Sequence, residues 1–288
     1  MLQIRHYSGY CSDMIVVDIG ANVGDLGKDL VTKFQGIKYL AIEPNQIICG
    51  PSLEILKRKY PESFDYRLVA VSDKDGEGVL HSPRSLNGQV GSLLKINQSG
   101  DWQENVRSSF KEPADESSIV VSTVSVPTLI NDHQITRIDF LKIDTQGTDL
   151  QILEDFLKNC DVRVAVVEIE VTANAEDSHY VGSENSMSNF FALVDFHGFN
   201  VVRMMPASGD CTEYNVFIAK TYSDFAQVDA HLDFKSLRIF SRFWTVLGIG
   251  NQMGPRQTDL HLSLLKKLFG SFRHPASSYK SLVIKLTS

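Results

Sequence analysis

Apolar residues along this chain fall in short unbroken runs, and the runs alternate with amphipathic stretches. The run at 14–19 reads as a strand, followed by a glycine turn and a helical stretch at 25–35. "KYLAIE" (38–43) is a second strand, leading through Pro44 to a helical segment with charged residues at 54–59. "YRLVAVSD" (66–73) is a third, closed by the turn signal "KDGEG". Residues 76–124 are irregular, rich in Ser, Gly and Asn, with short β-like pieces at 78–81 and 119–124. The alternation then resumes. "TRIDFLKID" (136–144) predicts a strand, and "GTDLQILEDFLKN" (147–159) predicts an amphipathic helix with Leu150, Leu153, Phe156 and Leu157 on its apolar face. "VRVAVVEIEV" (162–171) predicts a strand and 186–197 a helix. "FNVVRMM" (199–205) and "EYNVFIAK" (213–220) close as a hairpin around "PASGD".

Strands alternating with helices at this spacing imply a doubly wound, mostly parallel sheet covered on both faces. The unbroken apolar runs agree, because a strand buried on both faces needs no polar side. The terminal hairpin adds one antiparallel strand, expected at an edge. The pattern therefore predicts one α/β domain over 1–220 and a helical extension over 221–288, with the stretch 82–118, including Trp102, covering an acceptor site.

Composition narrows the class. With 43% hydrophobic and 22% charged residues the chain reads as soluble and globular, and a net charge of −7 argues against a nucleic-acid partner. Cys11, Cys49, Cys160 and Cys211 lie far apart without metal-ligand spacing, so free thiols and no structural metal are expected. The N-terminus lacks the apolar core of a signal peptide, and the longest apolar run (239–250) is interrupted by Arg242, so a cytoplasmic location is expected. Every charged side chain after Asp259 is basic. "DLHLSLLKKLFGSF" (259–272) is a basic amphipathic stretch, suited to peripheral contact with an acidic membrane or, as more surface helices do, to packing on the body or in a homodimer.

In a doubly wound sheet the ligand crevice opens at the carboxyl ends of the strands, beside the switch point. "VVDIGANVG" (16–24) ends the first strand there, placing Asp18, Gly20, Asn22 and Gly24 where turn amides and a helix N-terminus meet an anionic group. The dinucleotide pattern GxGxxG would need glycine where Asn22 stands, and the GxxxGxG spacing of short-chain dehydrogenases is missed by one residue, without a YxxxK pair. Glu43 follows Gly24 by nineteen residues and ends the second strand, where an acid accepts both ribose hydroxyls of a nucleotide-like cofactor.

The form DxGxNxG resembles the first motif of class I S-adenosylmethionine-dependent methyltransferases. "AIEPN", "VAVSDKDGEG", "VSVPTLIND" and "IDFLKIDTQGTDLQILE", in this order, make 14–220 similar to the FkbM family of that Rossmann-like superfamily. The resemblance implies S-adenosyl-L-methionine as cofactor, with Asp18 and the turn amides at its amino-acid end, and methyl transfer to a hydroxyl on a sugar or natural product. Many relatives carry "DVEG" where this chain has "DTQG", so Gln146 replaces an acid.

Glu43 with Pro44 is the expected ribose site, and Ala70, Val71 and Ser72 the expected adenine flank. Methylating a hydroxyl needs alignment and a base. Asp144 ends the fourth strand and is both a cofactor-side and a catalytic candidate; it or Thr145 alternatively caps the next helix. Glu168 and Glu170 share one face of an apolar strand, where buried carboxylates need partners or a ligand, Lys142 being one such partner. His179, in the polar loop "TANAEDSHY", is a further base candidate or a solvated loop histidine. A metal-dependent variant is disfavoured without a paired "DD" at the fourth strand. The alternatives from other classes are an NAD(P)-dependent oxidoreductase and a non-catalytic cofactor-binding protein.

Overall fold

Seven strands form the central sheet of the computed structural model, which describes residues 13–83, 91–97, 116–170, 178–207 and 213–237. Strand β1 (Met14–Ile19) lies between β2 (Ile37–Ile42) and β7 (Arg137–Ile143), parallel to both. Strand β3 (Phe64–Arg67) extends the parallel set beyond β2, and β8 (Asp161–Glu170) extends it beyond β7. Strands β9 (Asn200–Pro206) and β10 (Glu213–Ala219) complete the order β3-β2-β1-β7-β8-β10-β9.

The alternation of side chains along each strand feeds two cores. Val17, Ile19, Leu141 and Ile143 face one way, against α3 (Val126–Asp132), α4 (Asp149–Asn159) and α5 (Met187–Phe196). Val16, Tyr39, Phe140, Val164 and Phe217 face the other, against α1 (Asp25–Lys33), α2 (Gly50–Lys59) and α6 (Tyr222–Leu232). The sheet is doubly wound as expected. Among the described residues no helix is long and apolar enough to cross a membrane.

Three expectations need correction. The antiparallel strand is not at the edge: β10 pairs antiparallel with β8 on one side and with β9 on the other. Its Val216–Ala219 segment is fully buried, whereas most of β9 is half-buried, so the more apolar arm of the hairpin takes the interior place. The run 66–73 is not one strand. It breaks after Arg67, and β4 (Ala70–Ser72) leaves β2 to join a small second sheet of order β4-β6-β5 with β5 (Gly76–Pro83) and β6 (Glu116–Ser125). Helix α3 was not foreseen; Ser125 caps it by accepting a hydrogen bond from Thr128 N, and Pro127 stands in its first turn.

Packing continues past residue 220. Phe225, Val228 and Leu232 of α6, with Phe234 and Leu237 beyond it, are buried in the second core. The tail at 259–272, Trp102 and most of 82–118, Cys11 and Cys211 lie outside the described residues.

Candidate functional site

The turn after β1 is pinned from both neighbouring strands. Gly20 N and Ala21 N both donate to Ile42 O, and Asp144 N donates to Ile19 O at 3.0 Å. Gly20 has φ +77°, and a Cβ there would stand 1.8 Å from Asp144 O, so no other residue fits. Asn22 adopts the same left-handed region at φ 51°, which points its N–H at Glu43 Oε2, 2.8 Å away. Asn45 N donates to the other oxygen, Oε1, also at 2.8 Å. Glu43 is thereby held by two backbone amides and is only 6% exposed. Burial raises its pKa, while the two amides and Lys142 work the other way.

Below this turn lies a buried ionic cluster. Asp18, 1% exposed, accepts a short hydrogen bond from Tyr39 OH and pairs with Lys142 Nζ at 3.1 Å. The same ammonium donates to Gly20 O at 3.2 Å and pairs with Asp144 at 3.4 Å. Burial opposes the charge on Lys142, but Asp18 and Asp144 outweigh it and raise its pKa. Asp18 therefore supports the turn from within and does not line the crevice above it.

That crevice spans about 600 Å³, part of it open to solvent. Gly20, Asn22, Glu43 and Pro44 line one side; Val69, Ala70 and Val71, with Leu80 and Leu93, give an apolar wall; Asp144, Thr145 and Gln146 close the far end. Two other expected cofactor residues stand elsewhere. Gly24 begins α1 and faces Leu53 and Leu56 of α2, and the Ser72 hydroxyl donates to Asp73.

Asp144 and Gln146 also line a second, much smaller cavity, with room for about one water-sized group. Gln146, at φ 61°, donates from Nε2 to Asp144 Oδ1 at 3.0 Å and accepts from Tyr180 OH at 2.7 Å. Asp149 holds this turn from behind, accepting from Thr145 N at 2.7 Å, Gly147 N at 2.9 Å and Asn185 Nδ2 at 3.0 Å. Burial pushes the Asp149 carboxyl up to about 6. The cap expected from Asp144 or Thr145 is absent: Thr148 occupies the N-cap position, its hydroxyl bonded to that of Thr145 and to no helix amide, and Asp149 satisfies the preceding amides.

Glu168 and Glu170 both line this second cavity, with Glu213 opposite them on β10. Lys142 is committed to Asp18 and Asp144 and forms no ion pair with Glu168. Burial, then the carboxylates of Asp144, Glu213 and Asp149, push Glu168 well above the ordinary carboxylate range. Glu170 accepts from Ser178 Oγ and His179 N, and burial raises its pKa, opposed by His179. His179 is not solvated. It is 4% exposed, with Nδ1 at 3.0 Å from Glu213. Sequence pattern gave no sign of Asp149, Tyr180, Asn185 or Glu213 as site residues, because they reach the cavity from three separate segments: the first residue of α4, the stretch preceding α5, and the start of β10.

Against this geometry stand the comparisons with known proteins. A family model described as the methyltransferase FkbM domain matches residues 18–206, well over half of the chain. The chain belongs to the FkbM methyltransferase family. No curated protein sequence matches it. Among solved structures it is similar to magnesium protoporphyrin IX methyltransferase from Synechocystis PCC 6803 with bound S-adenosylmethionine, at 8% identity and TM-score 0.38, over 73% of this chain and 71% of that one. It is also similar to a Burkholderia thailandensis 1,6-didemethyltoxoflavin-N1-methyltransferase with S-adenosylhomocysteine (13% identity, TM-score 0.37, 73% and 72% covered). A third is an O-methyltransferase from neocarzinostatin biosynthesis (13%, TM-score 0.37), where this chain covers 48% of the longer partner. The family model carries the assignment; these likenesses do not.

The FkbM family is S-adenosylmethionine-dependent, and the crevice suits that cofactor. Each Glu43 oxygen accepts one amide and retains a lone pair for a ribose hydroxyl. The wall of Val69, Ala70, Val71 and Leu80 offers an apolar flank for adenine. In this FkbM methyltransferase the crevice and the carboxylate-lined cavity share Asp144 and Gln146.

Proposed function

We propose that this chain transfers a methyl group from S-adenosylmethionine to a hydroxyl oxygen of a sugar or natural-product acceptor that reaches into the smaller cavity with one of its polar groups. The observation that carries the reading is that Asp144 borders both cavities, so one carboxylate faces the cofactor side and the acceptor side together. When bound, S-adenosylmethionine supplies an electrophilic methyl carbon. Glu43 and the turn amides orient the cofactor. Asp144, fixed by Gln146 and Lys142, would accept the hydroxyl proton at a carboxylate oxygen, the methyl carbon parting from sulfur as it joins the acceptor oxygen so that S-adenosylhomocysteine is left. Tyr180 and Gln146 hold the acceptor end in line.

Calorimetry with S-adenosylhomocysteine tests the cofactor half: micromolar binding is expected, and no binding overturns the reading. Asp144→Asn tests the chemical half. It is expected to keep S-adenosylhomocysteine affinity within a few-fold while lowering methyl transfer by about 10²–10⁴-fold; unchanged turnover removes Asp144 as the base.

A further inference from the structure

Five carboxyl groups line the smaller cavity, from Asp144, Asp149, Glu168, Glu170 and Glu213. Four have partners. Asp149 accepts from two backbone amides and Asn185, Glu170 from Ser178 and His179, Glu213 contacts His179 Nδ1, and Asp144 meets Gln146 and Lys142. The Glu168 carboxyl has no hydrogen bond among the described residues, and Lys142 is already shared between Asp18 and Asp144. A second feature is independent of the acids. Asn185 lines the same cavity, is 5% exposed, and donates from Nδ2 to Asp149 and to Glu168 O. Its Oδ1 is left buried without a hydrogen-bond partner among the described residues.

Both unpartnered groups are acceptors, a carboxyl and an amide carbonyl. A hydroxyl brings one proton, together with lone pairs that a ring of carboxylates repels. An ammonium brings three N–H donors, no lone pair and a positive charge. It matches the cavity in sign and in hydrogen-bonding sense, and its charge favours the ionised form of Glu168 that burial and the neighbouring carboxylates oppose. Among the described residues no three His, Cys, Asp or Glu side chains are arranged to hold a metal ion instead.

We propose that the smaller cavity binds a protonated amino group of the acceptor, with Glu168 as counter-ion and Asn185 Oδ1 as a second acceptor. The acceptor class is then a hydroxylated amine such as an amino sugar, and the ammonium site sets specificity while Asp144 serves the hydroxyl. This rests on the methyl-transfer reading for the identity of the bound molecule as acceptor.

Saturation-transfer NMR on the full chain with S-adenosylhomocysteine present tests it, using D-glucosamine, N-acetyl-D-glucosamine and D-glucose at equal concentrations near neutral pH. Glucosamine is expected to bind about tenfold more tightly than either neutral sugar, as a charge-assisted hydrogen bond implies. Glu168→Gln is expected to bring it down to the neutral level while S-adenosylhomocysteine affinity is retained. Equal signals from the three sugars with the unaltered protein overturn the proposal, as does a Glu168→Gln variant that still prefers glucosamine. Failure to bind S-adenosylhomocysteine overturns the methyl-transfer reading instead, and the three-sugar comparison without it still decides the ammonium site.

Discussion

Glu43 holds the turn with both carboxylate oxygens, and the proposed function gives it the ribose as well. Its two oxygens anchor Asn22 N and Asn45 N at 2.8 Å each. In Glu43→Gln an NH₂ group must face one of those N–H donors, and one acceptor for the ribose is lost. S-adenosylhomocysteine affinity is expected to fall by roughly 10–100-fold, or about 1.4–2.7 kcal/mol, by calorimetry; an unchanged affinity would place the ribose elsewhere. Asp149 carries a pH signature. Its folded pKa, about 6, stands above the ordinary aspartate value of 3.8, so protonation favours the native state. The stability it contributes is complete below the unfolded value and is lost as pH rises through about 6. Asp149→Asn cannot titrate, so its stability deficit against the unaltered protein should narrow between pH 4 and pH 7, by up to about 3 kcal/mol. Urea melts across that range check it, and a deficit independent of pH would contradict it.

At the scale of elements, the site depends on how closely α1 lies on the sheet. Gly27 has no Cβ, and one placed there would stand 2.5 Å from Tyr39 Cε1 and 2.6 Å from Phe64 Cε2. Those two rings stack with centroids 5.3 Å apart and cannot both yield. Gly27→Ala is expected to cost about 1–3 kcal/mol by overpacking. Because Tyr39 OH donates to Asp18, beneath the glycine turn, the same change should weaken cofactor binding although Gly27 lies outside the crevice. A melt combined with calorimetry separates the two effects, and a variant as stable as the parent would show that α1 can shift.

For the molecule as a whole, the question is where the methyltransferase body ends. A chain stopped after Lys220 loses Phe225, Val228, Leu232, Phe234 and Leu237, all 3% exposed or less. Burial of five large apolar side chains contributes on the order of 10 kcal/mol, comparable with the whole net stability of a domain. The truncated chain is therefore expected to show no cooperative melt, whereas a sharp transition would restore residue 220 as a boundary.

The sequence alone determined what local chemistry and period determine. Unbroken apolar runs such as 14–17 and 164–167 specify strands buried on both faces, and their alternation with amphipathic helices specifies a doubly wound sheet. Glycine and acid spacing in "VVDIGANVG" and "AIEPN" placed Gly20, Asn22 and Glu43 at one crevice, since residues joined by short turns carry their own geometry. Only the tertiary structure decided that β10 enters between β8 and β9, because a hairpin fixes which arms pair but not which arm meets the sheet. It alone buried Asp18 under the turn with Lys142 and turned His179 inward onto Glu213. It alone gathered Asp149, Tyr180, Asn185 and Glu213 around Glu168, from segments up to 64 residues apart. A side chain's partner across the fold depends on how whole elements pack, and no periodicity along the chain records that.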